Sequence, residues 1–79
     1  MIKWIEDEEP NLEDMQEYVG GFIEAIPLTN GFTMVVNEEG RQQNLPNNPE
    51  ATKIYQDNGG AVGMDIVGNA MIVRANLIK

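Results

Sequence analysis

Carboxylates are the reactive groups this chain has in quantity. Glu6, Asp7, Glu8 and Glu9 are consecutive, Glu13, Asp14, Glu17 and Glu24 follow, and no basic residue falls among them. Glu38 and Glu39 bring the first forty positions to ten of the thirteen acidic residues. Histidine and cysteine are absent. Imidazole and thiolate therefore supply no nucleophile, general base, zinc ligand or haem ligand. Paired carboxylates can still run hydrolysis alone, as in glycosidases. Such a pair needs a substrate cleft, and 79 residues leave little room for one. Carboxylates are also hard ligands for cations, but no D-x-[DN]-x-[DN]-G loop occurs, and Asn37-Glu38-Glu39-Gly40 reads as a turn with Gly40 at positive φ. No catalytic residue, metal or cofactor is expected, and the chain is not expected to be an enzyme.

The remaining use of the acid is as a surface. The formal net charge is -8, and the five basic residues Lys3, Arg41, Lys53, Arg74 and Lys79 are scattered. Phosphate contacts need clustered Lys and Arg, so direct binding of nucleic acid is disfavoured, as is an anionic membrane surface. A partner protein with a basic surface is the electrostatic complement. Keeping a small protein soluble explains the same charge without any partner. No apolar run is long enough to span a membrane. Met1 to Glu6 turns acidic at once, unlike a secretory signal, and the lack of Cys fits a reducing cytoplasm. A chain of this length makes one domain, which buries only about 60% of its unfolded surface. Self-association to a homo-oligomer is one way to supplement so small a core.

The elements that would position these groups can be read in order. Ile2–Ile5 is a short strand with Ile2 and Trp4 on one face and Lys3 on the other. Glu6 to Pro10 breaks it. Asn11 is a helix N-cap, Leu12, Met15 and Val19 form an apolar stripe flanked by Tyr18, and Gly20-Gly21 ends the helix. Strands follow over Phe22–Leu28 and Phe32–Asn37, joined at Thr29-Asn30-Gly31. Pro27 cannot donate to a ladder, so the first of these is expected to be an edge strand or to point the missing N–H of Pro27 outward. The run Met34-Val35-Val36 predicts burial on both sheet faces. Arg41–Asn44 could form a short returning strand. Asn48 caps a second helix with Pro49 at its first position and Ala51, Ile54 and Tyr55 on its contact face, and Asp57 to Gly60 ends it. Asp65–Val67 and Ala70–Val73 read as two strand pieces about Gly68-Asn69. The expected fold is a small α+β domain over residues 1–79, a mostly antiparallel sheet with a central hairpin and two short helices.

From about Leu12 to Val73 the chain resembles a family of small domains of unknown function carried by bacteriophages, plasmids and bacterial chromosomes. The blocks that carry the likeness are Val19-Gly20-Gly21-Phe22-Ile23-Glu24, Val35-Val36-Asn37-Glu38-Glu39-Gly40, Leu45 to Thr52 and Ile66 to Val73. The third block departs slightly, with Asn at both positions after Pro46 and a second proline, Pro49. The resemblance implies a family core over 11–74, between an acidic strand and break over 1–10 and a tail over 75–79. It implies no activity. It points to a mobile-element origin and a bacterial cytoplasm, where small acidic phage proteins often bind and disable host components, including defence and nucleic-acid-handling proteins.

Two sets of site residues follow. The first is a partner-binding acidic face of Glu6, Asp7, Glu8, Glu9, Glu13, Asp14 and Glu17, with Trp4 and Tyr18 as aromatic anchors. The other aromatics, Phe22, Phe32 and Tyr55, are expected in the core. The second set serves an alternative, a homo-oligomer that sequesters a small anionic ligand such as a nucleotide messenger. Gly59, Gly60 and Gly63 would offer backbone N–H groups, and Arg41, Lys53 and Arg74 positive charge. No G-x-G-x-x-G and no G-K-[ST] occurs, so a glycine-lined turn accounts for the same glycines. An accessory structural domain is the third possibility.

Overall fold

The computed structural model describes residues 1–78; Lys79 lies outside them. The chain forms β1 (Ile2–Ile5), α1 (Leu12–Val19), β2 (Ile23–Pro27), β3 (Phe32–Asn37), α2 (Pro49–Asp57) and β4 (Ala70–Arg74), then a 3-10 turn at Ala75–Leu77. The four strands make one sheet in the order β1-β4-β3-β2. β2, β3 and β4 are antiparallel neighbours, and β1 runs parallel to β4 with Ile2 opposite Ala70 and Trp4 opposite Ile72. The fold is thus α+β with a mostly antiparallel sheet.

Both faces of β3 are buried, as its unbroken apolar run requires. Met34, Val36, Ala70 and Ile72 pack with Ala51 of α2 and with Ile66. Val35, Met71 and Val73 pack with Met15 and Val19 of α1 on the opposite face. Each Met, Val or Ile among these contributes roughly 1.5–3 kcal/mol when fully buried, so the two central strands dominate the stability. The aromatics frame this aliphatic core instead of filling it. Phe32, Tyr18 and Tyr55 are half-buried against it, while Phe22, expected inside, is 65% exposed beyond the end of α1. Leu12, expected on the α1 stripe, is exposed as well. It opens the helix, before the sheet comes beneath.

Several loops differ from the expected elements. Arg41–Asn44 is not a strand: Gln43 donates its backbone N–H to Glu39 and Leu45 to Gly40, which closes the segment on itself. Asp65–Val67 forms no ladder either; Val67 makes a single antiparallel bridge to Asn47. Gly40 does not hold positive φ, which in this loop falls on Asn44. Gly40 is required for space, since a Cβ there would lie 2.9 Å from Val67. The 75–79 segment is more than a tail over its described part, because Leu77 and Ile78 pack on the α1-side core.

Polar side chains staple these pieces. Asn11 Oδ1 accepts from Asp14 N–H at 2.7 Å, and Gly20 closes α1 in the left-handed region. Asn37 and Asn69 donate their side-chain amides to the Val19 and Tyr18 carbonyls, satisfying acceptors that the helix end would otherwise orphan. At α2, Asn48 is 1% exposed. Its Oδ1 accepts from Ala51 N–H while its Nδ2 donates to the carbonyls of Met1 and Gly68. One side chain therefore joins α2, the start of β1 and the loop before β4.

Candidate functional site

Sheet order and helix placement open a groove beside β1. Helix α1 packs on β2, β3 and β4. The same face of β1, at the end of the sheet, is left beside it. The resulting groove, about 610 Å³, has Lys3, Ile5, Met71 and Asn69 among its lining residues and is edged by Glu8, Glu9, Pro10, Asp14, Glu17 and Tyr18. The acid comes from two segments: the break after β1 and the outward turns of α1. Asn69 fixes the helix wall through the Tyr18 carbonyl, and Lys3 Nζ lies 5.8 Å from the centre of the Tyr18 ring. Four carboxylates thus share the groove with a single ammonium among the described residues. Among the described residues, no three acidic side chains come close enough to hold a metal ion, so the carboxylates are spread along a rim and form no cage.

The expected acidic face is only partly assembled. Glu8, Glu9, Asp14, Glu17 and Tyr18 line the groove; Glu6, Asp7 and Glu13 do not. Glu6 turns to Arg74, with Oε1 3.0 Å from the guanidinium. Trp4 is separated from Tyr18 by the sheet. Strand alternation puts Trp4 with Ile2 on the α2 side, where its ring meets Phe32 edge-on with centroids 5.3 Å apart. Trp4 and Tyr18 therefore cannot anchor one flat surface, although Trp4 remains 47% exposed at the sheet edge.

The second residue set is dispersed within one subunit. Arg41 donates to the Asp65 carbonyl, Lys53 pairs with Asp57 at 2.9 Å, and Arg74 holds Glu6. Gly59 and Gly60 close the end of α2, where Gly60 N–H donates to the Tyr55 carbonyl. A Cβ on Gly60 would sit 2.5 Å from that oxygen. Gly63 lies on the same loop, at an exposed tip with Val62 and Met64.

Sequence inspection missed a second cavity, of about 410 Å³, on the α2 side. Ile26, Val36, Tyr55 and Ile66 are among its apolar lining, with Glu24, Glu38, Glu39, Asp65 and Arg41 among the polar residues. Its walls come from the turn after β3 and the loop before β4, which are distant in the chain. No local spacing signals it. Among the described residues, no helix is long and apolar enough to cross a membrane.

The chain belongs to the DUF3846 family, described as a domain of unknown function, and matches it over residues 1–77. The match takes in β1 and the 3-10 turn as well as the blocks between them. No curated protein and no solved structure matches the chain.

Proposed function

We propose that this protein is a non-enzymatic interaction protein of phage or mobile-element type that binds the basic surface of a host protein through its own acidic surface and thereby inhibits it. One observation carries the proposal. Carboxylates from two separate segments, Glu8 and Glu9 after β1 and Asp14 and Glu17 on α1, line one groove, in which Lys3 supplies the one ammonium among the described residues. Glu13 and Glu17 are also like charges one helical turn apart, a small cost that a basic partner would offset. The mobile-element origin and the bacterial cytoplasm rest on the sequence resemblance, and inhibition on the habits of small acidic phage proteins.

The test is retention of bacterial proteins on the immobilised chain at low salt, with salt-gradient elution into mass spectrometry. Rim charges that steer association give binding that weakens with salt. One protein eluting sharply, near one copy per subunit, supports the proposal. Retention of none counts against it. The homo-oligomeric binder of a small anion gains nothing from the geometry of one subunit, because each of its cations already has its own acceptor. Light scattering that shows a monomer removes that alternative.

A further inference from the structure

We propose that the free edge of β1 receives an extended segment of the partner as a fifth strand, with basic and apolar residues alternating along it. This deepens the acidic-groove reading and rests on it. The backbone pattern fixes which groups are available. Ala70 N–H donates to the Met1 carbonyl, and Ile2 stands opposite Ala70. In a parallel ladder of that register, Met1, Lys3 and Ile5 turn their backbone groups toward β4. Ile2 and Trp4 then turn theirs outward, two N–H donors and two carbonyl acceptors on a side where the sheet has no neighbouring strand among the described residues.

The opposite edge is blunted. Leu28 N–H donates to Phe32 and Glu38 N–H to Phe22. The even-numbered residues of β2 therefore face β3, and Ile23, Ala25 and Pro27 face outward. Pro27 has no N–H to offer, a usual device against unwanted strand addition. No proline interrupts β1, and its outward row is complete.

The flanks of β1 set the chemistry of the added strand. Side chains of a strand alternate between faces. Alternate residues of the incoming segment would project over Lys3 and Ile5 toward Glu8, Glu9, Asp14 and Glu17. Basic side chains match that face by charge, since among the described residues its carboxylates outnumber its ammonium four to one. The intervening residues would lie on the α2 side beside Ile2 and the exposed ring of Trp4, where apolar side chains are favoured. Main-chain bonds would supply affinity and the two unlike flanks direction.

The probe is an end-blocked octapeptide of alternating Lys and Val. A peptide of the same composition with Lys and Val in separate blocks is the control, and two further versions are N-methylated at every Lys or at every Val. Affinities come from titration calorimetry and amide exchange from NMR, on the full chain. The expected result is binding of the alternating peptide about tenfold tighter than the blocked one. Exchange at Ile2 and Trp4 should slow, Lys3 and Ile5 should stay unchanged, and one methylation pattern should weaken binding far more than the other. Equal affinities of all four peptides, with no slowing at Ile2 and Trp4, overturn strand addition yet leave a charge-driven groove intact. Failure of every peptide to bind more tightly to the unmodified chain than to an Asp14→Lys/Glu17→Lys variant overturns both.

Discussion

The side-chain amide of Asn48 donates to the main-chain carbonyl of Met1 across 3.1 Å, tying the first helical cap of α2 to the start of the edge strand. The same amide reaches the Gly68 carbonyl at 2.8 Å. A residue read from sequence as a local helix cap is thus also the long-range staple that seats β1. Asn48→Ala loses the cap and the donor to the Gly68 carbonyl, while the Met1 carbonyl keeps the Ala70 N–H; together these losses cost about 2 kcal/mol. Asn48→Asp keeps the acceptor for Ala51 but sets a carboxylate against two carbonyls. It should be at least as destabilising, although Asp caps helices well. Urea unfolding of both variants checks the order; an Asp variant close to the wild type would remove the staple.

Gly60→Ala should destabilise more than Gly63→Ala. At Gly60 a Cβ meets the Tyr55 carbonyl, whereas at Gly63 it meets nothing within 4 Å. Gly63 has φ of +88, so Ala there costs only the conformational term, about 1 kcal/mol. Thermal melts of the two variants give the difference directly. Equal losses would mean that packing at the α2 terminus is not what requires Gly60.

Glu6→Gln should change stability by less than about 1 kcal/mol, because the Glu6–Arg74 pair is solvent-exposed on both sides. The variant should also leave partner binding nearly unchanged, since Glu6 lies off the groove. Denaturation in low and high salt is the check, and a large loss would promote this pair to a structural tie of β1 to β4.

Local signals found most of the fold. Asn11, Gly20, Asn48 and Pro49 marked the helix ends, Pro27 the protected edge, and Met34-Val35-Val36 the doubly buried strand. What was missed depended on tertiary contacts. Phe22 and Leu12 are apolar residues left exposed, and Val67 pairs in a single backbone bridge to Asn47 before Gly68 turns the chain at positive φ. The candidate site was legible as composition but not as shape. Helical position separates Glu17 from Glu13, yet only the placement of α1 says which of them faces a groove. Strand alternation already put Trp4 opposite Lys3. That Tyr18 joins Lys3 follows only from which face α1 covers. The sequence blocks that mark the family hold Asn37, Asn48, Thr52 and Asn69, whose side chains all bond the fold together, so the likeness speaks to architecture more than to a binding surface.

The most direct measurement places the same charge change in two locations. Asp14→Lys/Glu17→Lys reverses the helix wall of the groove, while Glu38→Lys/Glu39→Lys reverses two carboxylates of the turn after β3. Net charge rises equally in both. Each folded variant is immobilised beside the unmodified chain, and the salt needed to elute the retained bacterial protein is compared. The groove variant should lose retention while the turn variant keeps it. Equal retention by both, equal loss by both, or no protein held by the unmodified chain would contradict a specific acidic groove.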